Sequence, residues 1–188
     1  MAVIDVAGFV SDLKDHAVDH GFHVHDERHF VESYSLRQAW EVDLHPEEGC
    51  QGPLDLHLAL EVDPRTLLNF EDTVTSMPED ELPPDEYHFD LHFHWTMPPL
   101  TSAPDLLHLA TDLAGIGGPD LPLEVSAIDS FHAVTDAPER SLTIVARLKV
   151  SLQHVYRGEE QMCDTLEGCL AVSRFLLEQV PVWLGEAQ

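Results

Sequence analysis

The chain has 188 residues, of which 44% are hydrophobic, so it is long and apolar enough to form one folded domain over residues 1–188. Acidic residues outnumber basic ones by 35 to 9, and the formal net charge is −26. This charge argues against nucleic acid and anionic membrane surfaces as partners, because both require basic patches, and it favours a basic protein partner.

The cysteines are Cys50, Cys163 and Cys169, and they form no C-x-x-C motif. An odd count without this motif is typical of a reducing compartment, so we expect a cytoplasmic protein without disulfides. The amino terminus has no basic stretch before its apolar residues, which argues against a signal peptide. No uncharged apolar run reaches about 18 residues, so no membrane span is expected.

The first predicted element is a helix. Asp5 is a plausible N-cap, and Gly21 stands where a glycine commonly ends a helix. Between them an apolar stripe recurs at helical spacing, formed by Val6, Phe9, Val10, Leu13 and Ala17. The following residues, 22–35, fit either a short strand or an irregular connection.

Period-two alternation then predicts strands, each with one dry and one wet face. The first two, at residues 37–45 and 54–62, form an expected antiparallel hairpin. A third covers 87–95, and two more are expected at 141–153 and at 121–133, where a slip near Ile128 indicates a bulge.

Three further helices are expected from their end signals. Asp63 and Pro64 suit the start of a short helix, and Ser102 suits the N-cap of the next one. The last helix is expected to run from about Glu159 to Val180 and to end at Pro181. Between the first two of these helices, the acidic, proline-rich segment "SMPEDELPPDE" is expected to form a loop.

This order of elements predicts an α+β fold, with an antiparallel sheet of about five strands and helices packed on one face. The order is similar to that of type III secretion chaperones and their relatives, which are small and acidic. The similarity covers most of the chain as an order of elements, and no residue motif accompanies it. It implies a chaperone-like or adaptor-like role as an expectation at the level of the fold.

The stretch "YHFDLHFHW", residues 87–95, suggests a metal site. His88, Asp90, His92 and His94 alternate with aromatic and aliphatic residues, so they share the wet side of the strand. His92 and His94 have the spacing of two ligands on one strand, and His88, Asp90 or His57 of a neighbouring strand would complete a site for zinc or another divalent transition metal. The alternative is an ordinary solvated face. A second histidine cluster comprises His16 and His20 on the first helix and His23, His25 and His29 after it.

The sequence has no nucleophile motif such as G-x-S-x-G, so no catalytic residue and no cofactor are assigned. It favours a non-enzymatic binding module of chaperone, adaptor or regulatory type, whose acidic sheet face or sheet edge engages a basic or extended protein segment. We expect self-association as a homodimer, with Val182, Trp183 and Leu184 contributing. The alternatives are a metal-binding protein or metal-dependent enzyme that uses the strand histidines, and a small-molecule binder with its ligand between sheet and last helix.

Overall fold

A computed structural model describes residues 4–78, 80–131, 133, 138–159 and 162–185. These residues form six strands, five α-helices and a 3₁₀ turn at Glu47–Gly49. In chain order, the elements are α1 (Val6–Asp19), β1 (Phe22–Val31), β2 (Gln38–Pro46), β3 (Asp55–Val62), α2 (Pro64–Ser76), β4 (His88–Thr96), α3 (Leu106–Gly117), β5 (Leu123–Ser130), β6 (Glu139–Ser151), α4 (Leu152–Arg157) and α5 (Cys163–Trp183).

The strands form one antiparallel sheet in the order β1-β2-β3-β4-β6-β5. The α+β class is therefore confirmed, while the predicted count of about five strands is wrong by one. The additional strand is β1, from the segment whose sequence fitted either a strand or a connection. A bulge between Val24 and Asp26 interrupts its pairing with β2, and this irregularity hides the period-two pattern.

Three helix boundaries differ from their expected positions. Asp105, rather than Ser102, caps α3, because its carboxylate accepts hydrogen bonds from the backbone N–H groups of Leu107 and His108, both at 3.0 Å. The last helix, α5, begins at Cys163 rather than at about Glu159. A short helix that the sequence did not predict, α4, precedes it and ends at Gly158, whose φ of 64° lies in the left-handed region that ends helices. Pro181 lies inside the last turn of α5 rather than after it.

The core lies between the sheet and its helices. The apolar residues of β2, β3 and β4 point to one face, and α5 packs across them. Trp95 on β4 is fully buried, and its indole N–H donates to Ser173 Oγ on α5 at 2.9 Å. In the described part of the chain, no helix is long and apolar enough to cross a bilayer. The opposite side of the sheet is polar and half-buried, and we call it the open face.

Candidate functional site

The open face unites the polar side chains of three neighbouring strands. Because side chains alternate along a strand, the registers place His57 directly opposite Asp43 on β2 and His94 on β4. The sequence hypothesis required β2, β3 and β4 to be adjacent, and they are. The central residues of this face are Glu41, Asp43, His45, Asp55, His57, Glu61, Asp90, His92 and His94.

The predicted metal ligands on β4 are spread along the strand. The rings of His92 and His94 lie 5.7 Å apart between centroids and nearly perpendicular. His88 is four residues from His92, about 13 Å away along a strand, and its Nε2 lies 3.7 Å from Asp85. His92 faces Arg147 on β6, and Asp90 faces Lys149. The structure does not gather these four residues into one compact group, so a metal on them stays a prediction.

A hydrogen-bonded chain runs across the middle of the open face. Arg28 Nη2 donates to Asp43 Oδ1 at 2.8 Å, and the same oxygen lies 2.6 Å from His57 Nδ1. Partial burial tends to raise the pKa of Asp43, but the hydrogen bonds and charges of His57 and Arg28 outweigh it and lower the pKa below its usual value. These contacts hold the Asp43 carboxylate ionised and oriented on the surface.

His94 lies beside this chain, and its surroundings favour the neutral form of its side chain, whereas those of Asp43 favour the charged form. Burial lowers the pKa of its imidazole, and the charges of His92, His57 and Arg147 lower it further, against a smaller effect of Glu41. His94 is therefore neutral near pH 7. The guanidinium of Arg147, opposite His92, adds a positive charge to this part of the open face.

A compact group of metal-binding side chains lies elsewhere, where the sheet meets the 3₁₀ turn. One ligand atom from each of His23, His25 and Cys50 lies within 4.8 Å of the others, and no other such group occurs in the described residues. His23 Nδ1 contacts Cys50 Sγ at 2.9 Å, and His23 Nε2 lies 3.8 Å from Glu47. We call His23, His25 and Cys50 the thiol cluster.

Three local features assemble the thiol cluster. His23 pairs with His45 at the start of β1, and the bulge follows directly at His25. The 3₁₀ turn after β2 brings Cys50 back towards β1, and a backbone hydrogen bond from Glu47 N to Gly21 O, at 3.1 Å, ties the turn to the start of that strand. Gly49 lets the turn approach α5, since a Cβ there would lie 2.8 Å from Leu177 Cδ1.

His45 supports the cluster from the neighbouring strand. Its ring meets that of His25 edge to face, with centroids 4.6 Å apart. His45 Nδ1 is buried and has no hydrogen-bond partner in the described part of the chain, while Nε2 lies 3.5 Å from Asp55. A buried polar atom without a partner is unusual in a folded protein.

A concave site lies on the helical side of the molecule. A cleft of about 590 Å³, which we call the α1 cleft, separates one face of α1 from α4 and the start of α5. Apolar side chains form its floor, and among them are Ile4, Phe9, Leu13, Val155, Tyr156 and Met162. Its remaining lining is acidic apart from glycines and His16, with Asp5, Asp12, Asp15 and Asp19 all contributed by α1 and its N-cap.

The aspartates of the α1 cleft carry unbalanced charge. Asp5 caps α1 by accepting a hydrogen bond from Gly8 N at 2.9 Å. Within the described residues, Asp12, Asp15 and Asp19 form no ion pair, and Lys14 on the same helix is paired with Glu27 instead. The cleft therefore combines apolar surface with uncompensated negative charge.

No protein-family model, curated protein or solved structure matches this chain. Its function is therefore argued from its own side chains. Sequence reasoning noted His23 and His25 but missed Cys50 as their neighbour, because only the tertiary structure brings the turn to the strand. It also missed the α1 cleft, although Asp5, Asp12 and Asp19 recur every seven residues on one helical face.

Proposed function

We propose that this protein is a non-enzymatic binding module that holds a basic amphipathic helix of a partner protein in the α1 cleft. The observation that carries the proposal is the combination of an apolar floor with the carboxylates of Asp12, Asp15 and Asp19, for which the described residues provide no ion-pair partner. Ligand sites are typically concave and largely apolar, with few polar groups that set orientation. The net charge of −26 adds long-range attraction for a cationic partner.

The spacing of the carboxylates favours a helical partner. Asp5, Asp12 and Asp19 are seven residues apart, about 10.5 Å per interval along a helix axis. A partner helix that lies along α1 presents cations at the same interval when they recur every seven residues. Its apolar side chains, three or four positions from each cation, then meet the floor around Phe9 and Tyr156.

The open face is the competing surface. It carries acidic groups too, but Arg28, Arg147 and Lys149 lie among them, and Arg28 contacts Asp26, Glu41 and Asp43. Its negative charge is therefore partly neutralised within the protein, whereas the residues that the structure describes provide no ion pair for Asp12, Asp15 or Asp19 in the α1 cleft. The proposal consequently places the partner on the helical side rather than on the sheet.

The test uses an 18-residue helical peptide with arginine at every seventh position and leucine three or four positions from each arginine, on the same face of the helix. A control peptide of equal composition has its arginines moved by two residues, which rotates them by about 200° to the other face. Calorimetry should detect binding of the first peptide only. Because the contacts are electrostatic at the rim, affinity should fall as salt increases.

Protein variants locate the peptide. Replacing both Asp12 and Asp19 by asparagine should weaken binding by about 2- to 30-fold, because each exposed ion pair contributes roughly 0.2–1 kcal/mol. The matched control, Glu61→Gln with Asp90→Asn, removes the same charge from the open face and should leave binding unchanged. An equal loss in both variants, or a loss only in the open-face variant, would refute the cleft as the site. Equal affinity for the two peptides would refute helix-specific recognition.

A further inference from the structure

We propose that the thiol cluster is a zinc site, with His23, His25 and Cys50 as its ligands. Imidazole nitrogen and thiolate sulfur are the donors that zinc prefers in proteins, and three protein ligands with an open fourth position form a common zinc geometry. The inference concerns a different part of the molecule from the α1 cleft, so it does not depend on the proposed binding function.

The distances in the cluster are close to those that a zinc ion requires. With Zn–N near 2.0–2.1 Å and Zn–S near 2.3 Å, ligand atoms of a tetrahedral site lie about 3.3–3.6 Å apart. The three ligand atoms here lie within 4.8 Å of one another. His23 Nδ1 and Cys50 Sγ, at 2.9 Å, need to separate by about 0.6 Å to accept the ion between them. Side-chain rotations on this scale leave the backbone in place.

The surroundings supply the second layer of contacts that zinc sites usually have. A ligating histidine commonly donates its other ring N–H to a carboxylate, which fixes its orientation. When His23 binds zinc through Nδ1, its Nε2–H faces Glu47, whose Oε1 lies 3.8 Å away. The ring of His45 packs against that of His25 and limits its rotation. Glu47 and His45 are thus positioning residues.

The exposure of the site leaves the fourth coordination position of the zinc ion to water. His23 and His25 are exposed and Cys50 is half-buried, so water reaches the cluster and fills the remaining position. The contrast with β4 lies in the donor set. His92 has Arg147 opposite it and Glu61 Oε1 at 3.9 Å from its Nδ1, whereas the thiol cluster offers one sulfur and two imidazole nitrogens within 4.8 Å of one another, with Glu47 beside them.

The experiment is a zinc titration of untagged, metal-stripped protein against a chromophoric chelator, with cobalt(II) as a second probe. A thiolate ligand gives cobalt an intense sulfur-to-metal charge-transfer band, which reports Cys50 directly. One zinc per chain with a dissociation constant below about 1 µM is expected. Both Cys50→Ser and His25→Asn should weaken binding by about 100-fold or more, because they remove a ligand. Cys50→Ser should also abolish the charge-transfer band.

Two matched controls keep the result specific. Cys163→Ser removes an exposed thiol on α5, and His92→Ala with His94→Ala removes the strand pair that the sequence suggested. Both should retain zinc and the cobalt band. Loss of zinc in the His92/His94 variant, or retention of tight zinc in Cys50→Ser, would overturn the assignment. So would absence of sub-micromolar binding in the unaltered protein. Circular dichroism of each variant confirms that it folds, and His23→Gln, which also removes a ligand, replaces Cys50→Ser or His25→Asn if either does not.

Discussion

The contact between Trp95 and Ser173 offers a sharp test of how the sheet is held to α5. The indole N–H of Trp95 donates to Ser173 Oγ at 2.9 Å, and the serine hydroxyl in turn donates to the carbonyl of Cys169 at 2.8 Å. Both Trp95 and Ser173 are fully buried. Ser173→Ala removes the acceptor and leaves the indole N–H without a partner in the core.

The cost of Ser173→Ala follows from these contacts. A buried donor left without a partner costs about 1–3 kcal/mol. The higher helix propensity of alanine in α5 returns a few tenths of a kcal/mol, so a net loss of roughly 1–2 kcal/mol is expected. For a chain of this size, that lowers Tm by about 2–8 °C. Ser126→Ala on the exposed side of β5 is the control, with an expected change below about 0.5 kcal/mol.

The assay is a double-mutant cycle measured by urea denaturation. In the Trp95→Phe background there is no indole N–H that could lose its partner, and Ser173 keeps its hydrogen bond to the carbonyl of Cys169. Ser173→Ala should therefore cost about 1 kcal/mol less in that background than in the native chain. An equal cost in both backgrounds would refute the reasoning, because it would mean that the hydroxyl contributes through its helix contact alone.

Two further predictions concern the surface. Because burial lowers the pKa of His94, the folded protein takes up this proton less readily than the unfolded chain, so stability should fall as the pH decreases through about 6.5. Urea denaturation at pH 7.5 and 5.5 should show a smaller decrease for His94→Asn, and an unchanged decrease would contradict the assignment. The β1–β2 turn carries an exposed apolar group that favours self-association: Phe30, Val31, Tyr34 and Leu36. Leu36 has a positive φ of 58°, a conformation that asparagine adopts readily, so Leu36→Asn should not unfold the chain. Sedimentation velocity should show a weaker association of this variant, and an unaltered association constant would exclude this surface.

Self-association through the carboxyl-terminal residues is less favoured by the structure than by the sequence. Of the three apolar residues named there, Trp183 belongs to the core and is 7% exposed, whereas Val182 is 52% exposed. Near the end of a helix, the sequence pattern does not reveal which residues are buried, because only a few of them remain to contact the core. The homodimer itself stays a prediction, and the exposed apolar residues of the β1–β2 turn are now its expected contact surface.

The sequence predicts the centre of this fold better than its edges for a physical reason. Strands β3 and β4 each bury one side completely, so apolar and polar residues must alternate, and Leu58 or Phe93 could only point inward. Strand β1 lies at the sheet edge and only Phe22 on it is buried. With little burial to enforce alternation and a bulge after Val24, its sequence carries almost no strand pattern.

The same limit applies to the candidate metal site. The sequence contains two H-x-H pairs with identical spacing, His23 with His25 and His92 with His94, and spacing alone favours neither. What separates them is the third group that the fold delivers. Beside the first pair the 3₁₀ turn brings a thiol, whereas beside His92 the sheet register brings the cation of Arg147 and the carboxylate of Glu61. Cys50 is 25 residues from His25, and its approach depends on the hairpin register and on the close fit of Gly49 against Leu177. A metal site made of one local pair and one distant ligand is therefore a property of the tertiary structure, and the Cys50→Ser titration tests the fold and the site together.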